Sequence, residues 1–321
     1  MSQRPTLQDV IEARRRISPY ITRTPLHHYR GLDKLIGAEV WVKHENHQPL
    51  GAFKMRGALN TLSQLTPEQK KHGVVCASTG NFGQGIAYAA SVFGMKANIV
   101  VPMNANADKV ESMRRLGGNI IFHGKDFDEC RDKADTMSKE EGCFYVHSAN
   151  EPRLVPGVAT YSLEIFEDLP DVDVIIVPIG GGSGACGACI VKEGINPKVQ
   201  VIGVGAESAP GAYQSWKQRR VVESTTSTVA EGLATRVGFE YTQEILWDLL
   251  DDFVLISEDE IMNGVRLALE HTHNLAEHAG SSGIAAAVKI KDRLKGKKVA
   301  IVMSGGNISM PQLKKVMDGV R

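Results

Sequence analysis

The chain has few cysteines, no surplus of either charge and no long apolar run. Its five cysteines, Cys76, Cys130, Cys143, Cys186 and Cys189, are an odd number spread over 321 residues. That argues against a disulfide scaffold and for reduced thiols in a cytosol. Lys+Arg and Asp+Glu both number 37, so the chain lacks the electrostatic footprint of a nucleic-acid or membrane-surface binder. No stretch reaches the ~18 uncharged apolar residues of a bilayer span. The N-terminus shows no apolar signal core. Residues 6–17 are charged and read as an amphipathic helix capped by Thr6, with Asp9 on its positive first turn. A cytoplasmic location is therefore expected.

What is present is globular: 42% hydrophobic and 23% charged residues, in a length that suggests about two domains. Apolar runs at 74–77, 97–101, 119–122, 172–177, 199–204 and 298–303 read as buried strands. Segments with helical spacing, such as 85–93 and 261–270, lie between them. Strands alternating with helices predict α/β architecture with parallel sheets and right-handed crossovers.

Four features could carry chemistry. The run at 172–177 leads into Gly180, Gly181, Gly182, Ser183 and Gly184, then into small residues. A strand, a glycine turn and a helix start form a cradle for a phosphate, because free N–H groups and the positive dipole end face the anion. The same segment, Gly182-x-Gly184-x-x-Gly187, also matches a dinucleotide fingerprint, with Glu207 as its ribose acid. An NAD-dependent oxidoreductase therefore stands as a rival. The second feature is Lys54, set between Phe53 and Met55 and near Gly51 and Gly57. Apolar company disfavours its charged form and makes it a candidate amine nucleophile, against the blander reading of a snorkelling surface lysine. Third, Ser78, Thr79 and Asn81 sit on a glycine-rich turn after an apolar run, a turn that suits a small carboxylate or merely caps a helix. Fourth, Ser304 leaves the last strand just before Gly305 and Gly306. Cys186 and Cys189 have metal spacing but no second pair. His271, His273 and His278, with Glu270 and Glu277, show no metal-binding order and read as polar residues of a helix and its end.

Taken in order, these motifs resemble a known family. Thr24-Pro-Leu26, Phe53-Lys-Met-Arg-Gly57, Ser78-Thr-Gly-Asn81, Val177-Pro-Ile-Gly-Gly-Gly182, Glu231-Gly-Leu233 and Ser304-Gly-Gly-Asn307 are similar to those of fold-type II pyridoxal-phosphate (PLP) enzymes, in the serine/threonine dehydratase and serine racemase group. The resemblance runs through nearly the whole chain. It implies two α/β domains of the tryptophan synthase β-like type, each an open, mostly parallel sheet flanked by helices. The smaller, residues 73–148, would be inserted in the larger, residues 1–72 and 149–321. It implies pyridoxal 5′-phosphate as cofactor, a small amino acid as substrate and a homodimer. The implied reaction is α,β-elimination from a β-hydroxy amino acid (threonine, serine or 3-hydroxyaspartate class) to a 2-oxo acid and ammonia. Amino-acid racemisation is the alternative within the family.

The resemblance also implies roles. Lys54 bonds the cofactor and takes the α-proton. Phe53 and Asn81 hold the ring and its hydroxyl, and Gly180, Gly181, Gly182 and Ser183 hold the phosphate. Ser304 meets the ring nitrogen, and Ser78 and Asn81 take the substrate carboxylate. Thr79 stands where racemising relatives carry a serine base. Arg131 stands near where relatives that accept diacids carry an arginine, although the charge-rich segment around it also reads as an exposed helix face. Ala52 and Phe82 replace a serine and a histidine common in relatives. Glu207 matches the first acid of a divalent-cation site, but residues 208–213 hold no second acid, so no metal ligand is assigned.

Overall fold

The computed structural model describes residues 4–125 and 127–319, apart from the Asp128 side chain. Two sheets organise the chain. The larger has six strands in the order β1-β2-β10-β7-β8-β9. These are β1 (Leu26–His28), β2 (Glu39–His44), β7 (Val174–Pro178), β8 (Gln200–Ala206), β9 (Asp252–Ile256) and β10 (Lys298–Met303). All neighbours are parallel except the short edge pair β1–β2. The smaller sheet, in the order β5-β4-β3-β6, is wholly parallel: β3 (Val74–Ala77), β4 (Ala97–Val101), β5 (Asn119–Phe122) and β6 (Phe144–Tyr145). Central strands such as β3, β4 and β7 are buried along nearly their whole length, as expected where helices cover both faces of a parallel sheet. The expected α/β class with two mostly parallel sheets is therefore present.

The six apolar runs all fall on strands, but β1, β2, β6 and β9 are additions that the sequence reading lacked. β1 exposes His27 and His28, and β6 has two residues. In β2 the fully buried Lys43 interrupts the apolar signal. β9 follows directly on Asp251.

The first helix, Leu7–Ile17, carries the expected capping box: Thr6 Oγ1 accepts the Asp9 N–H, and the Asp9 side chain accepts the Thr6 N–H. All five cysteines are buried and free. No helix among the described residues is long and apolar enough to cross a membrane.

A buried ion network lies behind the helix Lys54–Ser63. Arg56 is bidentate to Glu45 at 2.8 Å and pairs with Glu164 at 2.7 and 3.0 Å. Glu164 also meets Lys43 at 2.6 Å. Thr24 donates to Glu45 at 2.6 Å, and its carbonyl accepts from Lys43 at 2.7 Å. Burial alone would raise the Glu164 carboxyl; Arg56 and Lys43 outweigh it and hold the group below its usual range. Two of the sequence motifs, those containing Thr24 and Arg56, thus meet in this network, which anchors the helix that begins at Lys54.

Candidate active site

A cavity of about 540 Å³ opens at the carboxyl ends of β3, β7 and β10, where open parallel sheets bind ligands. Its wall includes Phe53, Lys54, Ser78, Thr79, Asn81, Gly180, Gly181, Gly182, Ser183 and Ser304. Features separated by some 250 positions in the chain therefore converge on one space.

Lys54 is the first residue of its helix, at a corner tied to the end of β10. The Phe53 N–H donates to the Ser304 carbonyl at 3.1 Å, and Ala52 bridges Gly305. The Lys54 Nζ lies 4.7 Å from the Phe53 ring centroid and forms no hydrogen bond or ion pair among the described residues. Burial pushes its pKa down to about 8, with Glu277 opposing. A minor but appreciable fraction of the amine is thus neutral and nucleophilic near physiological pH, far more than at the ordinary lysine value.

The glycine turn opens the helix Ser183–Ile195, whose N-terminus has no side-chain cap. Its first N–H groups are left for a ligand. A Cβ at Gly180 would stand 2.1 Å from the Gly232 carbonyl, and Gly182 has φ +92°, so only glycine fits this cradle. Thr242 Oγ1 and Tyr161 Oη donate to the carbonyls of Gly181 and Gly184 at 2.8 and 2.9 Å. These bonds hold the turn while its N–H groups face the cavity. An amine of lowered pKa, an uncapped glycine cradle and the buried Ser304 on one wall together fit pyridoxal phosphate.

The turn before the helix Asn81–Val92 differs in detail. Ser78 Oγ accepts from Gly83 N at 2.8 Å and Gly80 N at 3.3 Å, which leaves its O–H to donate. Asn81 Nδ2 donates to Glu277 Oε1 at 2.7 Å, and Asn81 Oδ1 accepts from Asn307 Nδ2 at 2.7 Å. Glu277 does stand at a helix end, just before His278–Lys289, but that end lies on the cavity wall, which the sequence does not reveal. Its spacing carries no signal; only the fold brings it to Asn81. Burial raises its pKa. Thr235, also missed, lines the cavity with its hydroxyl oxygen buried and unpartnered.

Arg131 is half-buried on the helix Phe127–Glu141 and does not line the cavity. Among the described wall residues the other cation, Lys109, pairs with Glu231. Glu207 also lies off the wall, paired with Lys289 at 3.1 Å. Gly187 packs against Ala159 of a neighbouring helix, so the dinucleotide-like spacing here serves helix contact.

Fold and site together define a pyridoxal-phosphate enzyme. The family of pyridoxal-phosphate dependent enzymes matches residues 17–305, and the chain belongs to it. It is 40% identical over 315 residues to an L-threonine ammonia-lyase of Thermotoga maritima, covering 98% of this chain and 78% of that one. It is 35% identical over 318 residues to a catabolic L-threonine dehydratase of Staphylococcus aureus, covering 98% and 92%. The structure of maize serine racemase superposes with a TM-score of 0.92 at 32% identity, covering 98% of both chains.

Proposed function

We propose that the chain is a PLP-dependent ammonia-lyase that converts a neutral β-hydroxy amino acid, threonine or serine, to a 2-oxo acid and ammonia. The observation that carries the substrate class is the cavity's charge. Among the described wall residues the cations are Lys54, reserved for chemistry, and Lys109, committed to Glu231. A second substrate carboxylate finds no unengaged cation there, whereas Phe82, Pro102, Ala105, Phe127 and Phe239 offer apolar wall to a methyl group.

The bound cofactor supplies an electron sink for the charge developed at the substrate α-carbon. The chain's residues do the rest. Lys54 would hold the cofactor through its amine and, when free, would accept the α-proton. The N–H groups of Gly180–Ser183 would bind the phosphate. The Ser304 hydroxyl would serve the ring nitrogen without fixing a proton there, which would favour loss of a β-leaving group over transamination. Phe53 would flank the ring, and Asn81 would also serve its hydroxyl. Ser78 and Asn81 donate to the substrate carboxylate at a helix N-terminus. The hydroxyl leaves as water, and water returns on hydrolysis, so the products sum to the substrate. Residues 73–148 act as a closing domain over the body formed by 1–72 and 149–321, with the Lys109–Glu231 pair joining the two. The protein works as a cytoplasmic homodimer without a metal ligand at Glu207.

The test measures 2-oxo acid and ammonia from L-threonine, L-serine and 3-hydroxyaspartate. A kcat/KM highest for the diacid overturns the neutral-substrate reading. Thr79 lines the same cavity as Lys54, which supports racemisation as a second reading, with the two groups serving opposite faces of the α-carbon; chiral analysis of recovered serine decides it.

A further inference from the structure

The hydrogen bonds around Asn81 have a direction that is set outside the cavity. Asn307 Nδ2 donates to the Leu50 carbonyl at 2.8 Å and to Asn81 Oδ1 at 2.7 Å. A carbonyl only accepts, so Asn307 must turn its NH₂ toward Leu50, and both N–H bonds of that group are then spent. Asn81 must answer with its oxygen. Its nitrogen therefore faces Glu277, whose Oε1 accepts at 2.7 Å. One N–H of Asn81 remains.

We propose that Asn307 and Glu277 are positioning residues that lock the Asn81 amide from both ends, so that Asn81 meets an anionic ligand atom with its remaining N–H. This rests on the reading above, in which those atoms belong to the cofactor ring and the substrate carboxylate. The lock explains the asparagine that closes the Ser304–Asn307 motif, and it explains a carboxylate placed within the fields of Lys54, Lys109 and Glu231. An unlocked amide could turn by half a revolution and present its oxygen to the anion, a repulsive contact.

Asn307→Asp tests the direction, because aspartate has the same shape but cannot donate. It invites the Asn81 nitrogen to turn toward it. Asn307→Ala removes the partner without reversing anything. Fluorescence titration of the cofactor-free protein with PLP, and KM for L-threonine, should both rise about tenfold or more in Asn307→Asp but less than about threefold in Asn307→Ala. Glu277→Gln, which keeps an acceptor oxygen, should be milder than Glu277→Ala in the same two measurements; this pair stands in if Asn307→Asp melts early. Alanine as damaging as aspartate at 307, or glutamine as damaging as alanine at 277, overturns the lock. Those orderings in the PLP titration are independent of turnover. A wild type that binds PLP but releases no ammonia therefore sinks only the lyase reading, and one that binds no PLP sinks both.

Discussion

Lys43 is fully buried and Lys54 half-buried on the cavity wall, and burial lowers the pKa of each, but they do opposite things. Lys43 lies in the network of Glu45, Arg56 and Glu164, where each charge has partners at 2.6–3.0 Å. Lys54 has no acceptor within reach; only the more distant Glu277 counters burial. A buried cation surrounded by carboxylates stays charged and holds the fold together. A cation held out of bulk water without them gives up its proton more readily and becomes a reagent. The two sites sit on adjoining segments of chain, and the helix that begins at Lys54 carries Arg56 into the network. The paired cluster is thus the rigid footing for the unpaired amine.

The largest expected effect is on chemistry. Lys54→Ala should lose ammonia release below detection while still folding cooperatively, because the cofactor's amine and the α-proton base vanish together; activity comparable to wild type contradicts this. Next is the footing. Arg56→Met leaves Glu45 with only the Thr24 hydroxyl and Glu164 with only Lys43 and should cost ~3–5 kcal/mol in urea unfolding. A loss under ~1 kcal/mol would mean the network is ornamental. The two lysines should also part in their pH response. In cofactor-free protein Lys54 titrates at about 8, against 10.5 when unconstrained. Below pH 8 both folded and unfolded chains carry the proton, and the fold bears the full burial cost. Between pH 8 and 10.5 the folded state has already released it, so stability relative to Lys54→Met should rise through that window and then level off. A difference in melting temperature that stays flat with pH contradicts the account.

Smaller still is Ser304→Ala, which removes one hydrogen bond of ~1 kcal/mol at the ring nitrogen. It should keep the cofactor and slow turnover about fivefold; an unchanged rate moves the nitrogen's partner elsewhere. Smallest is Arg131→Ala. With Arg131 off the cavity wall, kcat/KM for L-threonine should change less than about twofold. A selective loss for 3-hydroxyaspartate would restore Arg131 as a side-chain ligand.

Much of this was legible before any coordinates. Glycine turns after apolar runs announced the cradle and the Ser78–Asn81 turn, because local backbone demands leave a local trace. The class of fold followed from strands alternating with helices. Residues whose role depends on distant contact left no trace. Glu277 reads like any helix-end glutamate until the fold sets it against Asn81. Lys43 breaks the apolar run of β2 and hides the strand, because its charge is compensated by Glu164, far along the chain. Arg131 is the converse case: its charge-rich segment predicts a helix, but not which side of that helix meets the cavity.

The central claim is that Lys54, which unlike Lys109 has no ion-pair partner among the described residues of the cavity wall, is the lysine that bonds the cofactor. Borohydride reduction of the PLP-loaded protein, followed by peptide mapping, tests it directly. The account predicts loss of the visible absorption band and a reduced pyridoxyl adduct on the peptide carrying Lys54. An adduct on Lys43, Lys109 or any other lysine, or none at all, would contradict it.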